Sequence, residues 1–305
     1  MVKRMNNKVV TIILTVLAAL AWGLSFFFTI VALKYFDPIS LLGLRWGIAG
    51  LLFAIFYFVG FIKCDFKGKN IKPLIAAGLL QPCLYSIFET TGIGMTSTSE
   101  SAIIIAMIPI FTLIVSVIIY KKRLSKLSIF AVVIAFSGIV VCTYFSPEFT
   151  ATGKLLGYLV LFGAVICSAF YTHSINNAGK SFTSTEITLV ISISGGVFFT
   201  ILNFIFGDGF NTYVVFINES DSMFSVIFLG IACSFLCYLA FNNILTKFSP
   251  VVVTNVFING VTLIGIISGV VLAGDPFGLF IVIGAGMTMT GITLTTLTNN
   301  KKNKN

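Results

Sequence analysis

The chain is written in long apolar runs broken by short polar clusters. A helix that crosses a bilayer needs about 20 mostly apolar residues. Ten runs qualify: 9–31, 39–62, 74–94, 100–120, 126–145, 155–175, 185–206, 223–246, 251–273 and 277–297. Spans 3 and 4 are separated only by Thr96-Ser97-Thr98-Ser99, and spans 9 and 10 only by Gly274-Asp275-Pro276. Connections that short predict antiparallel neighbours. The pattern predicts an all-α polytopic membrane protein with ten transmembrane helices.

Composition agrees. Of the residues, 57% are hydrophobic and only 10% charged, and the mean hydropathy is +1.06. A soluble domain carries about 25% charged residues, so the bilayer is the solvent that tolerates this chain. The net charge of +9 does not point to nucleic acid, because the basic residues sit in clusters between apolar runs. That placement suits anionic headgroups and membrane orientation. The first run follows Lys3 and Arg4 and passes Ala19-Leu20-Ala21, which imitates a signal peptide. It continues to Val31, a full span, and is expected to stay as span 1.

With a cytoplasmic N-terminus, sixteen of the nineteen Lys and Arg residues fall on the inner side. Lys34 and Lys154 fall outside, and Arg45 lies within a span. The positive-inside rule then predicts two cytoplasmic termini in a multi-pass protein of the cell membrane. The longest loop, 207–222, is acidic and expected outside.

The two halves look related. At an offset of 150, Ser99 falls on Ser249 and Pro109 on Asn259; further on the offset is 153, with Lys122 on Asp275 and Gly138 on Gly291. Five spans per copy is an odd number, so the second copy enters the membrane upside down. Inverted repeats of this kind place a solute path at the repeat interface. The expected units are 1–148 (spans 1–5) and 149–305 (spans 6–10).

The first half reads Ala21-Trp22-Gly23-Leu24-Ser25, then Asp37-Pro38 and Arg45, then Thr96-Ser97-Thr98-Ser99-Glu100-Ser101-Ala102, Pro109 and Gly138. This resembles the EamA family of the drug/metabolite transporter superfamily, over nearly the whole chain. The resemblance implies ten spans as two inverted five-helix repeats and export of amino acids and other small metabolites. The family usually has an acidic residue after span 4, where this chain has Lys122; Asp275 holds the equivalent place in the second half. Ser168 stands in the second half where the first has Trp22.

Polar groups inside spans are costly and face the bundle interior or a wet cavity. Gln81, Tyr85 and Glu89 recur every four residues, as do Ser234, Tyr238 and Asn242, and Asn255 with Asn259. Each set shares one helix face. Trp22, Ser25, Phe26 and Thr29 make a similar stripe on span 1. Trp22, Gln81, Tyr85, Glu89, Tyr238, Asn242, Asn255 and Asn259 are the candidate solute-binding residues. Arg45 and Glu89 both lie about 10 Å below the outer surface at 1.5 Å per residue. They are the candidate charge pair, either structural or coupled to transport. Interhelical hydrogen bonding is the plainer role for any single Asn or Ser.

Five of the six cysteines lie inside apolar runs and His173 stands alone, so no metal site or other cofactor is expected. No G-x-x-x-x-G-K-[ST] and no H-E-x-x-H occurs. The chain reads as a secondary transporter working by alternating access. The expected partners are a small-molecule substrate and membrane lipids, without nucleic acid, in a monomer or weak homodimer held by Gly43/Gly47 or Gly265/Gly269. An importer or exchanger of a carboxylated or phosphorylated metabolite is the alternative within transport. A membrane-embedded enzyme or a receptor is the alternative outside it.

Overall fold

The computed structural model describes the backbone of residues 2–121, 125–147, 153–246 and 250–302, and the side chains of residues 14–119, 121, 125–147, 154–246, 253 and 257–295. Among these, every regular element is helical. In chain order they are α1 (Val2–Ala32), α2 (Pro38–Phe58), α3 (72–94), α4 (98–120), α5 (Lys126–Tyr144), α6 (Gly153–Ala178), α7 (Ser184–Phe206), α8 (Phe210–Asn218), α9 (Ser220–Leu245), α10 (250–273) and α11 (Leu279–Lys302).

Among the described residues, seven stretches are long and apolar enough to cross a membrane: Leu14–Ala32, Pro38–Phe58, Thr98–Ile119, Lys126–Tyr144, Lys154–Ala178, Ser184–Phe206 and Ser220–Leu245. Phe257–Ala273 and Leu279–Thr295 are shorter apolar helices, and α3 is interrupted by a π-helical turn at Leu79–Tyr85. The chain is a multi-pass membrane protein.

Local sequence sets the helix starts. Asp37 accepts the Ile39 and Ser40 backbone N–H groups at the start of α2, with Pro38 in its first turn. Ser97 and Glu100 form a capping box on α4, and Thr183 with Glu186 forms one on α7. The π turn in α3 contains Pro82. Proline has no N–H to give the preceding turn, which disrupts the regular ladder. A second π turn, Phe228–Cys237, lies in α9. Segments of this kind are frequent at functional sites.

The segment 207–222, expected as a loop, carries the short helix α8. Its Phe210, Val214 and Ile217 are exposed while Thr212 is buried and donates to Asn203 Oδ1 at 2.9 Å. An apolar exposed face of this sort suits the headgroup boundary.

Packing follows a definite plan. α2 lies along α7 and α5 along α11; α1 packs on α9 and α10, and α6 packs on α3 and α4. Glycines permit the closest approaches. The Cβ position of Gly50 faces the Ser192 carbonyl at 2.8 Å, and that of Gly196 faces the Trp46 carbonyl at 2.9 Å. The same reciprocity joins α5 to α11. Gly138 abuts Gly284 and Thr288, while the Cβ position of Gly291 lies 2.5 Å from the Ala131 carbonyl and 2.8 Å from Ala135 Cβ. In both pairs the numbers rise along one helix as they fall along the other, so the partners run antiparallel.

Candidate functional site

A cavity with about 40 Å³ of room for water is lined by α1, α2, α3, α4, α6, α9 and α10. By volume it admits only a few water molecules. Its lining includes Trp22, Arg45, Gln81, Tyr85, Glu89, Ser168, Tyr238 and Phe241, closed by Ile105, Ile108, Ile258 and Val261.

Arg45 is 4% exposed and Glu89 6%. Their closest charged atoms, Nη1 and Oε2, are 3.4 Å apart. The Arg45 Nε–H donates to Ser234 Oγ at 2.8 Å. The Tyr85 hydroxyl donates to Glu89 Oε1 at 2.7 Å, one helical turn away on α3. Either charge alone at a helix centre would cost about 2.5–3.5 kcal/mol; the pair and its hydroxyl partners offset much of that. Gln81 Nε2 donates to the Tyr238 hydroxyl, joining α3 to α9.

Trp22 forms the aromatic wall. Its indole N–H donates to the Cys233 carbonyl within the π turn of α9 at 3.1 Å. Its ring meets Tyr238, Phe241 and Phe257 edge-on, with centroids 5.0, 5.1 and 5.1 Å away. Edge-to-face geometry is a favoured arrangement for such pairs.

The cavity is closed toward both faces of the bundle. Near the C-terminal ends of α6 and α9, Tyr171 donates to Asn242 Oδ1 at 2.6 Å, and Gly179 packs against Thr246. Asn176 Nδ2 donates to the Leu245 carbonyl at 3.1 Å. At the N-terminal end of α4, the Ser99 N–H donates to Asp275 Oδ2 at 2.6 Å, and Gly269 and Gly265 of α10 pack against Ser99 and Ala102. Loop 59–71 is also pinned: the Asp65 N–H donates to Glu186 Oε1 at 2.7 Å, and Lys69 lies 3.6 Å from the same carboxylate.

The structure therefore brings Trp22, Arg45, Gln81, Tyr85, Glu89 and Tyr238 together. It places Asn242 elsewhere, one turn below Tyr238, where Tyr171 and Thr188 occupy its acceptor and its donor. Asn259 also lies away from the cavity. The cavity face of α10 carries Ile258 and Val261, and Asn259 Nδ2 points at Thr293 of α11, 3.4 Å away. The side chain of Asn255 and all of Lys122 lie outside the described residues. Sequence reasoning missed Trp46, which donates to Ser86 Oγ at 3.0 Å and packs on Tyr238 with centroids 5.4 Å apart. It also missed Tyr171 and Thr188. An aromatic residue beside an intramembrane Arg was an available signal for Trp46; nothing marked the other two. Among the described residues no cluster of His, Cys, Asp or Glu is arranged to hold a metal ion.

Comparison with known proteins agrees with this architecture. An uncharacterized transporter of Archaeoglobus fulgidus is 26% identical, covering 89% of this chain and 93% of that protein. The uncharacterized transporter YcxC of Bacillus subtilis is 25% identical, covering 92% and 91%. A solved crystal structure superposes with a TM-score of 0.68 at 14% identity, over 95% of this chain and 98% of that one, and shares the fold. The profile of the EamA-like transporter family matches residues 9–144 and again 155–297, so both halves of this membrane transporter carry the same signature and the chain belongs to the EamA-like transporter family.

Proposed function

We propose that the protein exports amino acids or related small metabolites across the cell membrane by alternating access, as ten spans in two inverted five-helix repeats with both termini cytoplasmic. The observation that carries this reading is the buried Arg45–Glu89 pair lining a partly aromatic cavity among helices of both halves. An ionisable residue at membrane depth marks a solute path by default.

Three features support the repeat. Two of the three π-helical segments, at 79–85 and 228–237, recur near the offset of 150 read in the sequence; the third, Gly269–Ala273 of α10, has no such counterpart among the described residues. The reciprocal glycine contacts pair 131, 135 and 138 with 284, 288 and 291, at the offset of 153. The helix partners also interchange consistently: α1 on α9 and α10 mirrors α6 on α3 and α4. Equivalent helices that run antiparallel favour a two-fold axis in the membrane plane over one along its normal. Closure above and below the cavity supports alternating access, since opening either set of contacts exposes it to one side.

The test is solute release from liposomes. Purified protein is reconstituted with a trapped mixture of standard amino acids, carboxylated metabolites and phosphorylated metabolites, and the loss of each is followed by mass spectrometry. Release of at least one amino acid, absent from protein-free liposomes, is expected. Release confined to carboxylated or phosphorylated metabolites would replace this reading with the anion-exchanger alternative.

A further inference from the structure

We propose that the Arg45–Glu89 pair is a stand-in for the substrate, and that the solute is a zwitterion whose carboxylate takes the place of Glu89 at Arg45 while its ammonium takes the place of Arg45 at Glu89. This rests on the transport reading above and sharpens it to one charge class with named residue roles.

Geometry is the first ground. Nη1 and Oε2 are 3.4 Å apart, a loose contact for an ion pair. Each partner is held by a second group that does not depend on the pair: Arg45 by Ser234, and Glu89 by Tyr85. Both charges therefore stay anchored when the contact between them opens. A carboxylate and an ammonium borne on one carbon reach two partners set this close together. The small volume also matters. About 40 Å³ does not hold a metabolite, so any solute enters by displacing what now fills the space, and the pair lines it.

Charge balance is the second ground. Arg45 and Glu89 together contribute zero net charge to a low-dielectric pocket. A zwitterion leaves that sum at zero and supplies an opposite charge to each partner. A lone anion satisfies Arg45 but strands Glu89 beside it, and a lone cation does the reverse. A buried charge left without its partner is strongly destabilising. An uncharged solute offers too little to separate the pair. Apart from the pair, no lining residue carries a formal charge: Trp22, Phe26, Tyr238, Phe241 and Ile258 give an apolar and aromatic surface, and Ser25, Gln81 and Ser168 add uncharged polar groups.

The decisive experiment uses the amino acid released in the liposome assay, together with its N-acetyl derivative, an anion, and its carboxamide, a cation. Wild-type protein is expected to release the free amino acid at least about tenfold faster than either derivative. Because Glu89→Gln leaves Arg45 unpaired and can impair folding, the informative variant is Arg45→Gln/Glu89→Gln, which strands no charge. Its folding is checked by monodisperse size-exclusion elution. It is expected to release all three compounds at similar, slow rates. Equal rates for the free and N-acetyl forms in the wild type would overturn the exchange while leaving transport standing. So would full discrimination in the double variant. Release of no amino acid by the wild type would overturn both this proposal and the function on which it rests.

Discussion

The α5–α11 contact offers a sharp quantitative test of the fold. An added Cβ at Gly138 would lie 2.5 Å from Thr288 Oγ1 and 2.7 Å from the Thr288 backbone nitrogen. Carbon contacts are normally about 3.5–4.0 Å, so the helices must part by roughly 1 Å. Backbone cannot turn aside as a flexible side chain does. Overpacking of this kind costs about 1–3 kcal/mol. Separation also lengthens the Thr288-to-Ala135 hydrogen bond, now 3.3 Å, and such bonds between membrane helices average about 0.6 kcal/mol. Gly291→Ala meets the same seam from the other side, with its Cβ 2.5 Å from the Ala131 carbonyl. Each variant should therefore destabilise by about 2–3 kcal/mol, and the double variant by less than their sum, because the first has already opened the seam. Gly286→Ala is the control, since nothing lies within 4 Å of its Cβ position. Fluorescence-detected size-exclusion after heating reads the result. If Gly138→Ala melts with the Gly286→Ala control, or if only one of the two glycines matters, the reciprocal packing is wrong.

Other expectations follow from the same geometry. Gly179→Leu would drive side-chain atoms into Thr246, whose Cγ2 lies 2.7 Å from the Cβ position; the inner ends of α6 and α9 should splay, and the variant should bind solute added to the inner face yet release none. Phosphatase and fluorescent-protein fusions after residue 305 should report a cytoplasmic C-terminus, and a fusion within α8 an outer location; the opposite pair of results would sink the ten-span topology.

Much of this architecture is readable in the sequence because the bilayer imposes it. Apolar runs and Lys/Arg bias follow from the cost of placing charge and open backbone in hydrocarbon. The pairing of Arg45 with Glu89 was legible for the same reason: two charges at equal depth on neighbouring spans have every incentive to meet. The asparagines were not. Asn259 recurs at helical spacing with Asn255, but a stripe says nothing about which neighbour it faces; its Nδ2 is directed at α11. Asn242 shares a face with Tyr238 yet sits one turn deeper, where a tyrosine from α6 and a threonine from α7 consume it. Nor did the sequence announce the π turn at 228–237, which holds no proline and whose Cys233 carbonyl accepts from Trp22.

The chain holds two tryptophans, and they occupy different places. Trp22 lines the cavity, whereas Trp46 is fully buried beside Ser86. Fluorescence can therefore ask whether solute sits where the structure has its cavity. Trp46→Phe leaves Trp22 as the sole indole reporter, and Trp22→Phe leaves Trp46. Each purified variant is titrated with every standard amino acid while emission is recorded. A saturable change with at least one amino acid in Trp46→Phe, much reduced in Trp22→Phe, is the predicted result. A full-sized change in Trp22→Phe with none in Trp46→Phe would place the solute elsewhere and contradict the account.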